Sequence, residues 1–191
     1  MGMRMRVTHS FVIPLAIVAV LQSAIVVAQQ PIPEPLTDVD AYAVYAEVLP
    51  KRGPNETLLI REETVGPPCR HPLTTVDPAW KAVLDNFTTE NVRVRTLVPL
   101  LQLLSSYLLI PSSDIKAEGA RLAALHPGIW QSRPGSTDYA EVSAVGFDST
   151  KTRAIVSVGF GASGSVHAME KRDGRWGDAA VKGLGLCGWI A

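Results

Sequence analysis

From Tyr139 to Val181 the chain runs as four short stretches of strand-forming sequence, each closed by turn residues. Alternation of apolar and polar positions marks strands with one buried face, and short spacing marks hairpins. The stretches cover 139–147, 153–160, 165–171 and 175–181, joined by 148–151, 161–164 and Asp173-Gly174. An Asp-Gly pair is the strongest local hairpin signal in the chain, because a two-residue turn needs residues that accept positive φ.

Turn closure sets registers. With Asp173-Gly174 as a two-residue turn, Lys171 faces Trp176, Met169 faces Asp178 and His167 faces Ala180. Closing 161–164 between Phe160 and Ser165 puts Val158 opposite His167 and Val156 opposite Met169. Closing 148–151 between Phe147 and Thr152 puts Glu141 opposite Val158. One face then carries Tyr139, Val145, Phe147, Val156, Met169 and Trp176, apolar enough to lie beneath helices. A slip of one residue would reverse a strand's faces. The expected fold class is α+β: an antiparallel four-strand C-terminal meander plus an N-terminal strand, with helices packed on one face.

Upstream, a helix is predicted from about Thr37, with Asp38 and Asp40 in its first turn and Val39, Tyr42, Ala43, Ala46 and Leu49 on one face. Pro50 and Gly53-Pro54 end it. Residues 57–65 read as a strand through Leu58, Leu59 and Ile60. Asp77-Pro78 starts a second helix that runs to about Phe87. Between Asn91 and Ile110 two readings stay open. Leu97, Leu100, Leu101 and Leu104 suit a helix, while residues 107–110 suit a strand. Ser112 or Ser113 then caps a helix carrying Ile115, Leu122 and Leu125, which ends by His126-Pro127-Gly128.

Residues 11–28 form an apolar run behind Arg4 and Arg6, ending in Val26-Val27-Ala28 before Gln29-Gln30. A basic start, a short apolar centre and small residues before a polar break describe a secretory signal peptide, cut between Ala28 and Gln29. The competing reading is an uncleaved anchor, but the run is short for a bilayer span and holds Pro14, Gln22 and Ser23. No cysteine follows it to carry a lipid. Arg4 and Arg6 are not adjacent, as a twin-arginine signal would need. Removing the first 28 of 191 residues leaves 163, enough for one domain with a real core. It also removes two arginines and no acids, leaving 16 basic against 18 acidic residues. No cationic stripe remains, so nucleic acid and anionic membrane surfaces are poor partners. The expected organisation is a signal peptide at 1–28, a Pro-rich tether at 29–36 and a single α+β domain at 37–191. No stable membrane insertion is expected after cleavage, and the compartment is periplasmic or extracellular.

The C-terminal third carries a pattern of motifs. Ser143-Ala144-Val145-Gly146-Phe147-Asp148 is followed by Ala154-Ile155-Val156-Ser157-Val158, then Gly164, then Met169-Glu170-Lys171 before Gly174-Arg175-Trp176. Over residues 139–176 this resembles a group of small exported bacterial proteins of uncharacterised function. That group shares an S-x-V-G-F-[ND] strand, an A-x-V-x-V strand and an L-x-K-x-x-G-x-W hairpin. This chain departs from it at Met169 and in its short 161–164 loop. The resemblance implies export and fold and transfers no activity.

Residues that could carry chemistry are few. Export makes a disulfide between Cys69 and Cys187 the default, with a thiol or metal site at Cys69 and His71 as the competing reading. No C-x-x-C or H-x-x-x-H spacing completes a metal site, so no metal and no cofactor is expected. His126 sits at a helix end, where its charge suits the dipole. The registers place His167 on the apolar face, with Glu141 in the same row one strand beyond Val158. Two strand spacings are roughly 9.6 Å, so Glu141 and His167 are the candidate acid and imidazole for general acid–base work. The bland alternative is a histidine satisfied by a carbonyl and a glutamate at the sheet margin. Residues 161–165 approach G-x-S-x-G, but Ser165 stands where the second glycine belongs and the context is a hairpin. Gly183-Leu184-Gly185 lacks the third glycine of a nucleotide loop. Asn55-Glu56-Thr57 and Asn86-Phe87-Thr88 match glycosylation sequons.

The sequence therefore supports an exported small domain, a non-enzymatic binding or interaction module whose partner is unknown. The alternative is a small hydrolase or isomerase with an acid–imidazole pocket on the sheet face. A structural envelope protein follows only if the signal stays uncleaved.

Overall fold

Asp38 opens the first helix: its carboxylate accepts the Asp40 N–H at 3.0 Å, and α1 then runs Val39–Val48. Leu49 turns extended ahead of Pro50, as a residue before proline must. These are features of a computed structural model that describes residues 32–66, 77–125, 128–129, 138–161, 163–181 and 189–190. The predicted signal peptide and cleavage point, Cys69, His71, His126 and Cys187 lie outside the described residues. The chain divides into Met1–Pro31 and Ile32–Ala191.

The remaining elements follow in order. β1 is Glu34–Leu36, β2 Thr57–Arg61, α2 Lys81–Glu90, β3 Arg95–Leu97, β4 Ser106–Ile110 and α3 Ile115–Leu125. β5 is Ala140–Val142, β6 Gly146–Phe147, β7 Arg153–Phe160, β8 Ser163–Arg172, β9 Arg175–Asp178 and β10 Trp189–Ile190. The main sheet runs β10-β8-β7-β5-β2-β4, with β6 beside β7 and β9 beside β8. It is mostly antiparallel, apart from β2, which pairs parallel with β4 and β5. β1 and β3 form a separate parallel pair, so the end of the expected tether is a strand. Among the described residues no helix is long and apolar enough to cross a membrane.

Short turns explain the local choices. Asp77 caps a turn of 3-10 helix at Pro78–Trp80, which leads into α2. The strand reading holds for 106–110. No helix forms through Leu97, Leu100, Leu101 and Leu104, because Pro99 pushes Val98 out of the helical region.

Helices lie on both faces of the sheet, a correction to the one-sided expectation. Tyr45 and Ala41 of α1 pack with Leu58, Ile60, Val142, Val156, Met169 and Trp176. Val83 and Phe87 of α2 pack with Ile155, Val166 and Ala168 on the reverse side. α3 reaches that same side through Leu59 and Ile110. The reason is β7, whose residues from Ala154 to Gly159 are all buried. A strand apolar on both faces needs cover on both. The face of α1 differs too. Ala41, Tyr42, Val44 and Tyr45 are buried, whereas Val39 is 71% exposed.

The registers separate into one that matches the expectation and two that do not. Asp173 and Gly174 have φ of 49° and 78°, and Lys171 faces Trp176 while Met169 faces Asp178, as read from the sequence. The β7–β8 loop is shorter than expected. Phe160 faces Ser163, Gly161 sits at φ 57°, and Val156 rather than Val158 faces His167. On the other side of β7, Glu141 faces Gly159 and Phe147 faces Ala154. Those two pairings differ by one residue, so a bulge sits between Val142 and Gly146. It lets Ala140, Val142, Val145 and Phe147 all face α1, where regular alternation would turn half of them away.

The bulge is held from three directions. The Tyr45 hydroxyl donates to the Ser143 carbonyl at 2.8 Å. The Asn91 amide accepts the Ala144 N–H at 3.0 Å and donates to the Ala144 carbonyl at 3.1 Å, as a neighbouring strand would. Asn86 accepts the Phe147 N–H at 2.7 Å. Gly146 lies against the backbone of α2: a Cβ there would come within 2.3 Å of Phe87 Cα. Only glycine allows so close an approach.

Candidate functional site

Glu141 and His167 are not brought together. Glu141 pairs with Gly159 and His167 with Val156, positions of opposite parity on β7, so the two side chains leave opposite faces. Glu141 forms an ion pair with Arg61 at 2.9 Å, and the Arg61 Nε donates to Ser112 Oγ at 3.0 Å. It ties β5 to β2 and to the start of α3.

His167 has other partners. Its Nε2 lies 2.7 Å from Ser165 Oγ, and its Nδ1 lies 3.3 Å from Asp178 Oδ1. A carboxylate can only accept, so Nδ1 carries the ring proton and Nε2 accepts from the serine hydroxyl. The order is serine, imidazole, carboxylate. The group sits where the outer edge of β8 changes partner, between β9 at Met169–Arg172 and β10 at Ser163–Gly164. The imidazole is 26% exposed and Asp178 is 80% exposed. Ser165 was legible in principle: Ser165-x-His167 is the same-face spacing of a strand, and the register already put Asp178 beside Met169. A four-residue loop at 161–164 makes Ser165 the strand's first residue, whereas the observed register sets it two residues inside β8, opposite Val158.

A second feature lies over α1. Val39, Tyr42, Ala43 and Ala46, the helix face expected to meet the core, line a cleft of ≈ 500 Å³ with Leu100 and Trp176. Leu100 is 44% exposed beside it. Arg175 and Gln102 stand at its margin, and neither side chain has a partner among the described residues. The Trp176 indole N–H is buried without a hydrogen-bond acceptor among the described residues. Lys171 Nζ lies 5.5 Å from the centre of its ring and also pairs with Asp40 at 2.8 Å.

A larger cleft of ≈ 660 Å³ opens on the other flank of α1. Its charges satisfy one another. Lys151 bonds Asp38 at 2.8 Å, Arg95 bonds Glu90 at 3.6 Å and Glu34 as well, and Asp148 is enclosed by its own turn. That leaves little to recognise a ligand. Among the described residues no group of three or more His, Cys, Asp or Glu is placed to hold a metal ion. No protein family, curated protein or solved structure matches the chain.

Proposed function

We propose that this chain is an exported binding module that holds a small apolar molecule with an anionic end in the cleft over α1. In this reading residues 1–28 are a signal peptide cut before Gln29, and the domain at 37–191 works in the periplasm or outside the cell. Its C-terminal strands act as one four-strand meander, and a Cys69–Cys187 disulfide staples it. The resemblance to small exported bacterial proteins and the near-balanced charge support this, and nucleic acid is not among its partners.

The observation that carries the binding reading is the second apolar stripe of α1. A helix that buries Ala41, Val44 and Tyr45 in the core has no structural need for Val39, Ala43 and Ala46 on another face. That face borders Trp176 and Arg175, whose indole N–H and guanidinium have no partner among the described residues and could meet a carboxylate or sulfonate. The volume falls in the range of small-molecule sites.

The test uses 8-anilinonaphthalene-1-sulfonate, an aromatic anion whose fluorescence reports burial. Saturable binding at one site is expected, lost in Ala43→Trp, which fills the cleft, and weakened roughly tenfold in Arg175→Gln. Binding that is unchanged in a folded Ala43→Trp protein, checked by circular dichroism, overturns the assignment.

A further inference from the structure

The geometry points to a second activity at the β8 edge: Ser165 is a nucleophile toward small acyl esters, with His167 as its base and Asp178 as the positioning residue. Ser165 Oγ to His167 Nε2 is 2.7 Å, and His167 Nδ1 to Asp178 Oδ1 is 3.3 Å. A hydroxyl is a weak nucleophile until an adjacent base can take its proton, and the base works best when a third group fixes its tautomer. Each of those roles is filled once.

Packing does not call for this arrangement. Along the α1-facing row of β8, Met169 is buried, while His167 and Ser165 lie opposite Val156 and Val158 and remain partly open. Two polar residues opposite two valines carry no core, and Asp178 is 80% exposed at the end of β9. In the same row Val158 lies opposite Ser165 and Phe160 opposite Ser163, with the Arg52 guanidinium 5.4 Å from the Phe160 ring, so the space left beside Ser165 suits a short acyl group.

The steps balance with solvent water as the co-reactant. Ser165 Oγ attacks the acyl carbon while its proton passes to His167 Nε2. The ester C–O bond breaks, and the departing alcohol takes that proton. Water then attacks the acyl-serine, giving a proton to Nε2, and the Oγ–acyl bond breaks. Oγ recovers the proton, and the acid is released.

The test is covalent labelling and turnover with the purified chain. Phenylmethanesulfonyl fluoride is expected to add one sulfonyl group, on the peptide holding Ser165. Hydrolysis of p-nitrophenyl acetate should fall to the buffer rate in Ser165→Ala. Asp178→Asn, a change at an exposed position, should lower kcat roughly tenfold or more with KM unchanged, because Asp178 acts only through His167. Labelling at another residue, or a folded Ser165→Ala protein that hydrolyses as fast as the parent, overturns the proposal. So does an Asp178→Asn protein with unaltered kcat.

Discussion

The Tyr45 hydroxyl and the Ser143 carbonyl meet at 2.8 Å across 98 residues of chain, both buried. Burial pushes the Tyr45 phenol far above its ordinary pKa, and the nearby Tyr42 and Asp38 add to the effect, so it stays a donor at any working pH. Tyr45→Phe keeps the ring and leaves the carbonyl short of a partner, which should cost about 1–3 kcal/mol in chemical denaturation. Asn91→Ala should cost a similar amount. Because both side chains hold one bulge, the double variant should depart from additivity, a departure a mutant cycle measures directly.

Two glycines should respond to alanine for different reasons. At Gly146 the new methyl would strike the α2 backbone at Phe87, which cannot swing aside as a side chain could. Gly146→Ala should lose about 3 kcal/mol or more. At Gly174 the space is open and only the φ of 78° resists, so Gly174→Ala should lose roughly 1 kcal/mol. Thermal melts of the two variants should fall in that order.

Asp148 makes part of the stability dependent on pH. Burial pushes its carboxyl up, but bonds from the Thr152 N–H and hydroxyl, the Arg153 N–H and the Thr150 hydroxyl outweigh this and hold it below the usual range. A group with a depressed pKa stabilises fully above its unfolded value, near 3.9, and loses that contribution as pH falls through the folded value. Denaturation curves between about pH 5 and pH 2 should therefore be steeper in pH for the parent than for Asp148→Asn.

The proposed export predicts two measurements on protein taken from its natural compartment. N-terminal sequencing should begin at Gln29, and Met1 or Met3 on membrane-bound material would favour an anchor. Thiol titration of the unfolded, unreduced chain should find no reactive cysteine, and two would refute the Cys69–Cys187 bridge. Reducing that bridge should lower the melting temperature by several degrees.

How far the fold could be read from residues depended on where each determinant lies. The Asp173-Gly174 hairpin was legible because a two-residue turn leaves one register. The β7–β8 loop is shorter than the glycine-bounded run 161–164 suggests, because Ser163 and Gly164 already pair with Phe160 and Gly159. The bulge at 143–145 left no local trace, since Tyr45 and Asn91, which hold it, are far away in sequence. Missing the bulge turned Glu141 onto the wrong face and made it a false partner for His167. The α1 face was ambiguous for another reason: the helix is apolar on two sides, and periodicity cannot say which meets the sheet.

Three of the bonds that fix α1 run to the far end of the chain: Tyr45 to Ser143, Lys151 to Asp38 across 113 residues, and Lys171 to Asp40 across 131. A helix made early on the ribosome thus has its cover completed only after β8 has emerged. Such high contact order makes folding slow, since loop closure must come before any of these contacts can form. A nascent chain with its first helix waiting on its last strands stays loose for most of its synthesis. If the proposed export holds, that delay suits a chain threaded through a membrane before it folds.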